Sequence, residues 1–121
     1  MKTIWASKTD YKWAAAKRAE LQQKTGLKWD YFSSGRGMVF NPIVTKKTPM
    51  DDELADMLLP HIGYDRFMGL NFVRLHEQSG MPLRDVLIAA KTLVKDGRCT
   101  PLVNRCGHFS AIKRSRIGLN L

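Results

Sequence analysis

The chain has 121 residues and a mass of 13.8 kDa, with 44% hydrophobic and 26% charged residues and a formal net charge of +9. That length suits a single domain with a core that needs neither disulfides nor a metal, and the composition excludes a disordered polyelectrolyte. No run approaches eighteen consecutive apolar residues and the start Met1-Lys2-Thr3-Ile4-Trp5 lacks a signal-peptide core, so a soluble cytoplasmic protein with no membrane partner is expected.

The charge is unevenly placed: +7 over residues 1–48, −4 over residues 49–81 and +6 over residues 82–121. Two basic segments around an acidic one make a face for a polyanion if the fold brings the ends together. Cys99 and Cys106 are too few and too close for a disulfide framework, and both are expected as free thiols.

Ser7 or Thr9 can cap a helix running to about Lys24, with Gly26 just past its end. Tyr11, Ala14, Ala15 and Leu21 form a thin apolar stripe, and Lys8, Lys12, Lys17, Arg18 and Lys24 line much of the rest. That basic face is either a solvated surface or a set of phosphate contacts, for which Lys12, Lys17 and Arg18 are the candidates. Leu27, Trp29 and Tyr31 alternate with Lys28 and Asp30 as in a half-buried strand, and a second strand is expected over residues 38–44. Between them Ser33-Ser34-Gly35-Arg36-Gly37 reads as a hairpin connection, with Arg36 at its tip either a groove contact or an ordinary turn residue. Trp29, Tyr31 and Phe40 are expected as core under the first helix. They are not expected as a base-stacking platform, because Arg36-Gly37-Met38-Val39-Phe40 lacks the residues of the RNA-binding RNP1 string.

After the connection Thr45-Lys46-Lys47, Thr48-Pro49-Met50-Asp51 predicts a helix capped by Thr48 with proline at its first position. Met50, Leu54, Met57 and Leu58 keep helical spacing, and Pro60 stops it. The next periodic segment covers residues 64–78 and closes at Ser79-Gly80. This acidic middle is expected to be a scaffold or a partner surface. Pro82 opens a helix to about Lys95 that buries Val86, Ala89, Ala90 and Leu93 and carries Arg84, Lys91 and Lys95 on other sides. A short β-hairpin of residues 102–103 and 108–112 follows around Asn104-Arg105-Cys106-Gly107, then the basic tail Lys113-Arg114-Ser115-Arg116. The expected class is α+β in one domain, with sub-units at residues 1–45 (helix and hairpin) and 48–121.

From Phe67 onward the order helix, tight turn at Ser79-Gly80-Met81-Pro82, helix ending Leu93-Val94-Lys95-Asp96-Gly97-Arg98, then hairpin resembles the winged helix-turn-helix family. That resemblance implies a recognition helix in the DNA major groove with Arg84, Lys91 and Lys95 as contacts. It also implies phosphate contacts from wing and tail through Arg105, Lys113, Arg114 and Arg116. The family has three helices before its wing and only one fits between Gly80 and Gly97, so the helix near residues 51–59 would supply the third in a rearranged order.

Cys99, Cys106 and His108, with His61 or His76, could offer zinc ligands, but the C-x6-C-x-H spacing differs from ribbon and finger patterns. Cys106 and His108 lack a third orienting group for nucleophilic catalysis. Asp51, Asp52, Glu53 and Asp56 suit the dipole of a helix start better than a magnesium site. No P-loop, dinucleotide fingerprint, H-E-x-x-H or G-x-S-x-G occurs, so no enzymatic activity, metal or cofactor is expected. The reading is a small basic nucleic-acid-binding protein, with duplex DNA favoured over RNA. The alternatives are an inhibitor or adaptor of the phage or mobile-element type that docks on a protein partner, and a binder of structured RNA or ribosomes. Oligomeric state is not legible.

Overall fold

A computed structural model of the chain describes residues 11–34, 37–62, 70–104 and 107–115. The class is α+β: the described residues hold four α-helices, a two-stranded antiparallel sheet and a three-stranded one. The chain divides into two compact units, Met1–Ile43 and Val44–Leu121, with the break beside the polar connection at residues 45–47. No helix among the described residues is long and apolar enough to cross a membrane.

In the first unit α1 (Tyr11–Thr25) ends where Gly26 takes φ 71° and its N–H bonds to the Gln22 carbonyl at 2.9 Å. Glycine adopts this left-handed conformation without steric cost. The caps expected at Ser7 or Thr9 lie outside the described residues. The helix end then fixes the first strand residue: Trp29 Nε1 donates to Thr25 Oγ1 at 2.8 Å, and its backbone N–H donates to Gln22 Oε1 at 3.2 Å. Strands β1 (Trp29–Ser34) and β2 (Gly37–Pro42) pair antiparallel with Tyr31 opposite Phe40. Ala14, Leu21, Trp29, Met38 and Phe40 are buried, and the rings of Trp13 and Tyr31 pack on Phe40 with centroids 6.0 and 5.8 Å away. Trp29 and Phe40 are therefore core, as expected, whereas Tyr31 is only half-buried and Asp30, on the other phase of the alternation, is buried as well. β2 ends at Pro42 rather than continuing to Val44: beyond it the Ile43 N–H still donates to the Lys28 carbonyl at 2.9 Å, and Val44 bridges to Phe109 instead.

The second unit runs α2 (Asp52–Leu58), a single 3-10 turn (Leu59–His61), β3 (Leu70–Asn71), α3 (Phe72–Ser79), α4 (Leu83–Lys95), β4 (Cys99–Val103) and β5 (Phe109–Arg114). The strand order is β3-β5-β4. Leu58, Phe72, Leu75, Leu87, Leu93 and Ile112 are fully buried, each worth about 2 kcal/mol of transfer free energy.

Three local expectations change here. The cap of α2 is Asp51, not Thr48: the Asp51 carboxylate accepts the N–H groups of Glu53 (2.9 Å) and Leu54 (3.2 Å), while Thr48 Oγ1 accepts the Thr45 N–H at 3.0 Å within its own turn. Pro49 accordingly precedes the helix. The helix expected over residues 64–78 begins only at Phe72, because Leu70 and Asn71 are extended and pair with Ile112 and Ala111. Asn71 Oδ1 accepts the Arg74 N–H at 2.8 Å and so starts α3 as its cap, a role that favours asparagine over a helix interior. Residues 64–69 of that expected helix lie outside the described residues. The C-terminal hairpin is also longer than expected, since pairing extends to Cys99 opposite Arg114, with an irregular register between Leu102 and Val103.

Candidate nucleic-acid interface

α4 stands at the centre of the second unit, with α2, α3 and β4 packed against it. Pro82 precedes it in extended conformation, and Gly97 at φ 84° follows it. Val86, Leu87, Ile88, Ala89, Ala90, Thr92 and Leu93 are all buried. Its expected contacts therefore meet different fates. Arg84 in the first turn and Lys95 in the last are exposed and pair with no carboxylate among the described residues. Eleven residues of helix separate them by about 16 Å. Lys91 lies between and turns inward: its ammonium donates to the carbonyls of Thr45 (3.2 Å), Lys46 (3.0 Å) and Thr48. Three acceptors use all three protons of an ammonium group. Next to it, Thr92 Oγ1 donates to the Ile88 carbonyl and accepts the Asp51 N–H, both at 2.9 Å.

The Lys91 clamp holds the 45–48 connection against α4 and so presents Lys46 and Lys47, both exposed, beside the helix. In the sequence these two lysines read only as part of a polar connection. The adjacent pair in a Thr-flanked turn was a visible signal, but the carbonyls that Lys91 bonds come from residues 43 to 46 positions away.

On the hairpin, Lys113 is half-exposed and stands opposite Thr100. The Arg114 guanidinium donates through Nε to the Ile62 carbonyl (2.6 Å) and through a terminal nitrogen to the Leu59 carbonyl (2.7 Å), closing the end of the 3-10 turn after α2. Asn104 Oδ1 accepts the His108 N–H at 3.1 Å, so its side chain shapes the turn. Arg105, Arg116 and Arg36 lie outside the described residues.

In the first unit Lys12 is exposed. Lys17 and Lys24 flank Glu20 at 3.6 and 3.2 Å, and the hydrogen bond from Lys24, with the charge of Lys17, holds the Glu20 carboxyl below its usual range. The Arg18 guanidinium lies over the Tyr31 ring, 5.0 Å from its centroid, a cation–π contact that leaves half-exposed charge at the helix surface.

The other end of α4 is mixed in sign. Arg98 bonds Asp96 at 2.7 Å and Asp56 at 2.8 Å, tying the end of α4 to α2. Hydrogen bonding from Arg98 pulls the Asp96 carboxyl down. Beside it an open groove of about 310 Å³ is lined by Met50, Asp51, Asp52, Thr92, Lys95 and Asp96. Cys99 is buried and its thiol is pushed up to about 11, chiefly by burial. Among the described residues no group of three or more His, Cys, Asp or Glu side chains is placed to hold a metal ion, and Cys106 lies outside them.

Comparison with known proteins returns no match among family models, curated proteins or solved structures.

Proposed function

We propose that the protein is a small basic nucleic-acid-binding protein of winged-helix type that engages duplex DNA. The observation that carries this reading is the order of the second unit: α2, α3 and α4 run in chain sequence into the antiparallel β4–β5 hairpin. Three helices in chain order before a hairpin support the winged-helix reading. The net charge of +9 supports an anionic partner, and Lys46, Lys47, Arg74, Arg84 and Lys95 leave exposed cations on this unit.

The mechanism is electrostatic capture. Each lysine or arginine that neutralises a phosphate releases condensed counterions, and roughly five such contacts would give a salt slope near −4.5 and a loss of roughly 500-fold between about 50 and 200 mM salt. The test is a salt-titrated binding assay of the purified protein against matched duplex DNA, single-stranded DNA and RNA. Duplex DNA bound tightest, with that slope, supports the reading. RNA bound tightest replaces it with an RNA reading, and no binding to any of the three at low salt assigns the basic surface to an acidic protein partner.

A further inference from the structure

We infer that residues 45–48 form a phosphate-contact site, with Lys46 and Lys47 as the groups that meet the DNA backbone beside α4; this rests on the DNA-binding reading above. At about 100° per residue Arg84, Lys91 and Lys95 fall within about 40° of one another around the helix, a line of cations about 16 Å long. Its middle member is spent on the fold: Lys91 gives its three protons to the carbonyls of Thr45, Lys46 and Thr48. The segment that takes those protons carries two exposed lysines of its own. The line therefore has two open ammonium groups at the point where its own lysine is closed.

The backbone that carries them is fixed at both ends and in the middle. Before the turn the Val44 N–H donates to the Phe109 carbonyl on β5 at 3.0 Å, and after it the Asp51 N–H donates to Thr92 Oγ1 at 2.9 Å. Within the turn the Thr48 N–H donates to the Thr45 carbonyl at 3.1 Å, the Thr45 N–H to Thr48 Oγ1 at 3.0 Å and the Lys47 N–H to Thr45 Oγ1 at 3.3 Å. A backbone held in this way has little ordering entropy left to lose when its side chains meet a ligand. The charge on it is also left open. Lys17 and Lys24 share Glu20, and Arg98 binds Asp96 and Asp56, whereas Lys46, Lys47 and Lys91 form no ion pair among the described residues. Like charges about 10 Å apart repel by about 0.4 kcal/mol in water, and a polyanion laid across them removes that cost. Ammonium groups are compact point charges suited to phosphate oxygens.

The test compares two double variants of equal charge change: Lys46→Gln with Lys47→Gln, and, as the control, Lys24→Gln with Lys28→Gln on exposed positions of the first unit. Each is titrated with duplex DNA of about 20 base pairs between about 50 and 200 mM salt, once circular dichroism shows the fold retained. The first pair should give a slope shallower by about 1.8 and an affinity about 60-fold lower at roughly 100 mM salt, because each phosphate contact contributes about 0.9 to the slope counted from a 1 M reference. The control pair should stay within about threefold of wild type, and Lys46→Arg with Lys47→Arg should keep the wild-type slope. Unchanged slope and affinity in the first pair, with wild-type binding intact, overturns the inference and leaves the DNA reading standing. An equal loss in the control pair also overturns it, because net charge and not a site then sets the affinity. Failure of the wild-type protein to bind any duplex at low salt overturns the DNA reading and the inference together.

Discussion

Lys91→Met separates a structural lysine from a phosphate contact. The methionine keeps most of the aliphatic stem but removes the ammonium that bonds the carbonyls of Thr45, Lys46 and Thr48. A hydrogen bond to a charged donor is worth about 1.5–3 kcal/mol, yet the three carbonyls lie near the surface and water replaces part of the loss, so the net cost is about 2 kcal/mol. For a chain of 121 residues the unfolding entropy near 60 °C makes that a fall of about 8 °C in Tm, and about 12 °C if the second unit unfolds by itself. Urea unfolding followed by circular dichroism reads the free energy. Amide exchange at residues 45–48 reads whether the connection has been released. DNA affinity of the folded variant should change less than threefold. Unaltered stability together with a salt slope reduced by one would refute the clamp and make Lys91 the phosphate contact that its helical position suggests.

Arg114→Met should cost about 2 kcal/mol by stranding the carbonyls of Leu59 and Ile62, and Arg114→Lys should recover only part because an ammonium lacks the two-pronged geometry; equal stability of all three proteins would contradict this. The Asp96 carboxyl is held below its ordinary value of 3.8, first by the hydrogen bond from Arg98, so its stabilisation is present above that value and lost as pH falls through the lowered one. Asp96→Asn should therefore flatten the stability profile below about pH 4, and an unchanged acid limb would count against the pairing. In a Cys106→Ser background the buried Cys99 thiol, pushed up to about 11, should alkylate at neutral pH only as fast as the protein opens, and rapid labelling of the folded chain would contradict its burial. Asp52 shares the groove with Lys95, and removing a like charge about 10 Å from phosphate is worth about 0.4 kcal/mol in water, so Asp52→Asn should tighten DNA about twofold at low salt, whereas weaker binding would place DNA elsewhere.

Local chemistry made much of the fold legible. The Trp29–Tyr31 alternation buries Trp29 and leaves Tyr31 half-buried, Gly26 ends α1, Pro82 precedes α4, and Gly80 closes α3 at φ 75°. The misses share a cause. Asp51 and Thr48 both carry capping side chains, and only the turn that Thr48 closes with Thr45 leaves the helix start to Asp51. Leu70 fits a helical stripe as well as a strand, and its partner Ile112 is 42 positions away in sequence. Periodicity reports a residue's own neighbours and carries no signal for a strand of two residues that exists because a distant hairpin offers an edge.

The same limit governs the candidate interface. The winged-helix resemblance nominates Arg84, Lys91, Lys95 and Arg114 alike, with nothing but their charge to rank them. What distinguishes them is whether backbone carbonyls elsewhere consume the charge, and those acceptors lie more than 40 residues from Lys91 and more than 50 from Arg114. A lysine whose ammonium meets three carbonyls and a lysine open to water are identical in composition and helical phase. They differ in direction of action. The first spends its charge on the fold, fixing the connection that carries Lys46 and Lys47, and the second keeps it for a ligand. Under the proposed reading Lys91 acts on DNA only through the two exposed lysines it holds in place, so its loss should broaden the set of Lys46 and Lys47 positions rather than delete a contact.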